Sequence, residues 1–108
     1  MNDRLQTFID KRKREAFEAL LENQPMIERV RAFPLESLEV HVRPLSLTWN
    51  AKTYTLTIRY STTTVQWYPS RNKVSVREGN LVMRHMNTRP SEVLRCLETG
   101  PMAFRSLR

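Results

Sequence analysis

Apolar side chains in the first third of this chain recur every three or four positions, and through the middle they recur every two. Leu5, Phe8, Ile9, Ala16, Phe17, Leu20 and Leu21 keep helical spacing over residues 3–22 with no Pro or Gly among them. That pattern predicts an amphipathic helix. Asn23-Gln24-Pro25 is expected to end it, because proline restricts the residue before it and has no backbone N–H to donate. Pro25 then suits the first turn of a second, shorter helix that carries Met26, Ile27, Val30 and Phe33 and stops at Pro34.

From residue 37 the period falls to two. Leu38, Val40 and Val42 alternate with Glu39, His41 and Arg43, which predicts a half-buried strand broken by Pro44. Leu45, Leu47 and Trp49 repeat the pattern, and Asn50-Ala51-Lys52 reads as a turn. The clearest strand follows, with Tyr54, Leu56, Ile58 and Tyr60 on one face and Thr53, Thr55, Thr57 and Arg59 on the other. Val65 and Trp67 take the opposite parity, so Ser61–Thr64 is expected to hold a bend or bulge. After a turn at Pro69–Asn72, Val74 and Val76 alternate with Lys73, Ser75 and Arg77, and Glu78-Gly79-Asn80 turns the chain into Leu81–Met86. Helical spacing returns at Pro90 with Val93, Leu94 and Leu97, and Gly100-Pro101 stops it.

These elements predict an α+β fold in one domain over residues 1–108. Residues 1–34 form two helices, residues 37–87 a four- to five-stranded antiparallel meander, residues 90–99 one helix and residues 101–108 a tail. Connections this short favour antiparallel neighbours, with helices on one sheet face and solvent on the other. The polar alternate positions agree, being Thr, Ser, Arg and Lys.

Charge changes the picture more than composition does. The 108 residues are 40% hydrophobic and 27% charged, which is globular usage. The longest apolar run, Ala19–Leu21, is far too short for a membrane span. The opening MNDRLQTFID lacks a signal-peptide core. A lone Cys96 can form no internal disulfide, so a reducing, cytoplasmic setting is expected. Residues 1–36 carry seven bases and seven acids, whereas residues 37–108 carry eleven bases and four acids, so the whole +7 lies in the later part. Fourteen of the eighteen bases are Arg, the side chain suited to bidentate phosphate contacts and stacking.

The candidate site is therefore the outward sheet face. Arg43, Arg59, Arg71, Lys73, Arg77 and Arg84 are its expected nucleic-acid contacts, with Thr53, Thr55, Thr57 and Ser75 between them. Tyr60, Trp67 and Tyr68 are its expected stacking or interface aromatics. Against this, Thr favours strands and any solvated face needs polar residues. Lys11-Arg12-Lys13-Arg14 is accounted for by a solvated helix face with i, i+4 pairs such as Lys11–Glu15.

Catalytic signals are sparse. His41, His85 and Cys96 fit no nucleophile or metal spacing, and neither a cofactor nor a metal is expected. RNA cleavage would have to use Arg59, Arg84, His85 and Tyr60 together. The expected function is a small, basic, non-enzymatic nucleic-acid-binding accessory protein. The alternative is a protein-binding module or small inhibitor, of the kind mobile elements encode, that meets an acidic protein or a nucleic-acid enzyme. RNA cleavage comes third. A homodimer is a further partner option, given the aromatics that so small a chain must cover.

Overall fold

The computed structural model describes residues 3–107; Met1 and Asn2 of the expected helical segment and Arg108 of the tail lie outside that range. A long helix α1 (Asp3–Arg31) is followed by a short 3-10 turn at Leu35–Ser37. Five strands come next: β1 (Ser46–Asn50), β2 (Thr55–Arg59), β3 (Thr63–Tyr68), β4 (Lys73–Glu78) and β5 (Leu81–His85). Helices α2 (Pro90–Thr99) and α3 (Pro101–Arg105) close the chain, so the expected tail docks as a helical turn. The α+β class, the antiparallel meander and the closing helix stand as expected.

Both N-terminal stretches are helical, but they run on as one helix through Pro25. Packing accounts for this. A proline inside a helix costs about 3 kcal/mol. Just beyond it, Ile27 and Val30 are fully buried, and Leu20 and Met26 pack against the same core from either side. Burying two such aliphatic side chains returns roughly 3–6 kcal/mol. The Tyr54 hydroxyl also donates to Gln24 Oε1 at 3.1 Å, fixing the turn immediately before the proline.

The strand expected at Leu38–Val42 is absent. Val42 N–H and Arg43 N–H both donate to the Glu39 carbonyl at 3.0 Å, which curls the segment into a turn and leaves Val40 80% exposed. Only Val42 of the alternating trio finds a tight seat, against Gly100. Gly100 has φ 120°, and a Cβ built there would meet Val42 Cγ1 at 3.2 Å, so both the backbone and the space call for glycine.

The sheet order is β1-β2-β3-β4-β5. Its registers explain the parity change read as a bend. Leu56 pairs with Trp67 and Ile58 with Val65, across a hairpin whose loop is Ser61-Thr62 and where Tyr60 N–H donates to the Thr63 carbonyl at 2.7 Å. A two-residue loop pairs even positions with odd ones, so the inward set switches parity at every such turn. The next hairpins repeat it: Val65 faces Val76, Trp67 faces Val74, Val76 faces Met83 and Val74 faces His85. Gly79, at φ 59°, opens the β4–β5 turn, as a primed hairpin turn requires.

The inner face carries the core. Leu56, Ile58, Val65, Trp67, Val74 and Val76 are buried beneath Ile27, Val30, Val93, Leu97 and Phe104 of the three helices. At the β1 edge the Arg31 guanidinium sits 4.5 Å from the Trp49 ring centroid, and Tyr54 meets the same ring edge-on.

Candidate nucleic-acid interface

Every strand that sends apolar side chains inward sends its alternate side chains outward, and the antiparallel registers align these into rows. Ser46, Arg59, Thr64, Arg77 and Val82 form one row across all five strands. Thr48, Thr57, Gln66, Ser75 and Arg84 form the next. Tyr68 opposite Lys73 begins a third. Strand spacing places the Cα atoms of Arg59 and Arg77 about 10 Å apart, and Lys73 lies about 13 Å along β4 from Arg77.

This face contains no acid. Six of the seven acids before residue 37 lie on α1 and Glu36 follows it; Glu39 is in the turn, Glu92 and Glu98 are on α2. Glu78 lies on the inward parity of β4 and is met by Arg105 Nε at 3.3 Å. Among the described residues no carboxylate pairs with Arg59, Lys73, Arg77 or Arg84. Four cations therefore share a surface with no local counter-charge, and their mutual repulsion is relieved only by solvent ions or an anionic ligand.

Two shallow basins lie side by side on it. One, of about 460 Å³, is lined by Arg59, Thr64, Gln66, Ser75 and Arg77. The other, of about 310 Å³, is lined by Asn50, Thr53, Thr55, Thr57, Gln66 and Tyr68. Gln66 is their shared wall. The Tyr68 hydroxyl donates to Gln66 Oε1 at 3.1 Å, which orients the amide NH₂ as a free donor. Lys73 Nζ sits 5.3 Å from the Tyr68 ring centroid. One basin is cationic and the other offers hydroxyls beside an aromatic ring.

Of the expected cations, Arg59, Lys73, Arg77 and Arg84 come together here. Arg43 does not: its Nη2 donates to the Leu38 carbonyl at 2.6 Å and to the Glu36 carbonyl at 3.3 Å, so it ties down the loop that replaces the expected strand. Arg71 also lies elsewhere, in the 3-10 turn Pro69–Arg71, where it lines a groove with Arg12 and Glu15 of α1. Among the aromatics only Tyr68 reaches the outer face. Trp67 is 0% exposed and Tyr60 is 8% exposed, both on the core side, so neither can stack on a ligand. Thr64 and Gln66, central to the basins, were missed by the sequence reading. The parity switch at Ser61-Thr62 was the signal that places them outward.

The cleavage constellation is divided by the sheet. Arg59 and Arg84 face out, whereas His85 pairs with Val74 on the inward parity and Tyr60 packs against Phe104 at 6.3 Å between centroids. Burial pushes the Tyr60 hydroxyl well above the usual tyrosine range, with Cys96 adding to the shift, so Tyr60 stays protonated. Burial likewise pushes the Cys96 thiol up, with Arg95 opposing and Glu92 adding. A raised thiol is a poor nucleophile. Among the described residues no group of three or more His, Cys, Asp or Glu side chains converges as a metal site, and no helix is long and apolar enough to cross a membrane.

Comparison with protein-family models, with curated proteins and with solved structures gives no match. The function is accordingly read from the chemistry of the outer face.

Proposed function

We propose that the outer face of the sheet binds single-stranded nucleic acid and holds it without chemical change. The observation that carries this is the acid-free row Arg59–Thr64–Arg77, flanked by Arg84 and Lys73. Two arginines whose Cα atoms lie about 10 Å apart can reach neighbouring backbone phosphates, and the adjoining hydroxyl basin with Tyr68 suits a sugar and a stacked base. Five strands at about 4.8 Å spacing make a surface about 19 Å wide, too broad to enter the ~12 Å major groove of a duplex. A flexible single strand can lie across it and expose its bases to Gln66 and Tyr68.

The same charge would also attract an acidic protein. Between Arg59 and Arg77, however, the floor is Thr57, Thr64, Gln66 and Ser75, and the apolar side chains on this face are the single Val82 and Tyr68 at its margins, not the central cluster that dominates protein interfaces. The separation of Arg59 and Arg84 from His85 and Tyr60 supports binding over cleavage.

The test is fluorescence anisotropy of nuclease-treated protein with labelled single-stranded RNA, single-stranded DNA and duplexes of each, at ~50 and ~200 mM salt. Three to four phosphate contacts on a single strand predict a log–log salt slope of about −2 to −3. Arg59→Glu with Arg77→Glu should bring the slope to about −1.4 or shallower and weaken binding at least ~10-fold. Equal affinity for duplex and single strand, or an unchanged slope in the double variant, would remove this reading.

A further inference from the structure

We propose that the hydroxyl basin beside Tyr68 reads the imide edge of a uracil or thymine base, through Asn50, Thr57 and Gln66. The proposal rests on the outer-face reading and names the bases that this face prefers. No charged residue lines the basin of about 310 Å³, so the phosphates belong to the cationic basin on the other side of Gln66. What it offers instead is a set of polar groups held in fixed orientations by the fold.

Asn50 is the most firmly oriented of them. Its Oδ1 accepts the Lys52 N–H at 2.9 Å and the Thr53 N–H at 3.2 Å, in the turn that joins β1 to β2. Backbone donors can meet only the oxygen of the amide, so both lone pairs are used and the NH₂ group is directed away from the turn. Gln66 repeats the arrangement on β3, where its Oε1 accepts from the Tyr68 hydroxyl. Among the described residues neither NH₂ group has a partner. Thr57 lies on the strand between them, paired with Gln66 and two residues along β2 from Thr55, the partner of Asn50. The Thr55 hydroxyl is spent on the Thr53 carbonyl at 3.2 Å, whereas the Thr57 hydroxyl has no partner among the described residues and can turn to donate or accept.

The array is therefore a donor, an adaptable hydroxyl and a second donor. Uracil and thymine carry its complement on one edge, with two carbonyl acceptors flanking an N–H. Cytosine replaces one of those carbonyls by an amino group, which sets donor against donor and leaves an amide unpaired beneath the base. Adenine has no carbonyl, and guanine has one beside two donors. A fixed donor left unpaired costs more than a matched bond gains, and that asymmetry is how a few polar groups discriminate. The edge concerned is open to a protein only in an unpaired strand, as the outer-face reading requires.

The experiment is fluorescence anisotropy of the nuclease-treated full chain with labelled homopolymers of about 10 nucleotides, at ~50 mM salt. The probes are uridine against cytidine and thymidine against deoxycytidine, pyrimidine pairs in which sugar and charge are matched. Uridine and thymidine should each bind at least ~5-fold more tightly than their partners, and the tighter of the two series names the strand as RNA or DNA. Asn50→Asp keeps the oxygen that holds the turn and exchanges the NH₂ group for a second acceptor. Its charge weakens both members of a pair alike, whereas loss of the donor should bring their ratio to about one or invert it. An unchanged thermal melt shows that the variant is folded, and Gln66→Glu makes the same exchange on the other side of the basin. A wild-type ratio near unity with both homopolymers bound, or a preference that survives both variants, would overturn the proposal and leave the outer-face reading standing. Failure of every single strand to bind would remove the outer-face reading and this one with it.

Discussion

Trp67 and Gln66 are adjacent in the chain and lie on opposite sides of β3, and the contrast between them is the contrast between the two faces of the sheet. The Trp67 side is buried at its centre beneath the three helices, whereas none of the described helices contributes to a core on the Gln66 side, and no acid lies there. Both faces come from the same alternation. One contributes almost all of the stability and the other, on our proposal, the binding, so substitutions should separate cleanly according to parity.

The largest effect should come from the inner face. Trp67→Ala empties the centre of the core and should cost about 3–5 kcal/mol in urea denaturation, whereas Gln66→Ala should stay within ~0.5 kcal/mol. Comparable losses in the two variants would mean that the outer face is covered in solution. Next in size, Tyr68→Ala should weaken single-stranded nucleic acid binding by about 1–3 kcal/mol with little change in the melt. Anisotropy and calorimetry on the same variant would show whether both halves of that statement hold.

A smaller effect tests the polar exceptions inside. The buried Tyr60 hydroxyl finds no hydrogen-bond partner among the described residues, so Tyr60→Phe should leave stability unchanged or raise it by about 1 kcal/mol. The same residue gives a pH dependence. Its folded pKa is raised, so the folded state holds the proton more tightly than the unfolded chain. Stability from this group is fully present below the unfolded tyrosine value of about 10 and is lost as pH rises above it. Tyr60→Phe should flatten that alkaline decline, and an equally steep decline in the variant would assign it to other groups. Smallest of all, Arg59→Glu with Arg77→Glu should move stability by no more than ~0.5 kcal/mol, since both side chains are exposed and unpaired.

How much of this was legible beforehand depended on whether local pattern or distant packing decided each element. Leu56 and Ile58 alternating with Thr55, Thr57 and Arg59 fixed β2, its inner face and its outer cation. Val40 and Val42 alternate just as cleanly, yet Arg43 and the Glu39 carbonyl draw that segment into a turn. Pro25 carried a correct local penalty that Ile27 and Val30 outweigh from across the molecule. The site shows the same limit. Arg59, Lys73, Arg77 and Arg84 were found through alternation within their strands, but Thr64 and Gln66 needed the hairpin register to place them. Tyr60 and Trp67 were read as stacking residues because composition names an aromatic without giving its face.

The strand order has one more consequence, and it is kinetic. Because each strand pairs only with its neighbour in sequence, the sheet can form by closing one short hairpin after another, with little loop entropy to overcome at any step. β3 gains partners on both sides, while β1 and β5 each keep one unpaired edge. Amide exchange should then slow from the edges towards β3. The cations lie on β2, β4 and β5, so the full charge pattern needs those strands and the β3 between them, and does not need β1. The surface that repels itself most strongly is completed only when the three hairpins joining β2 to β5 have all closed.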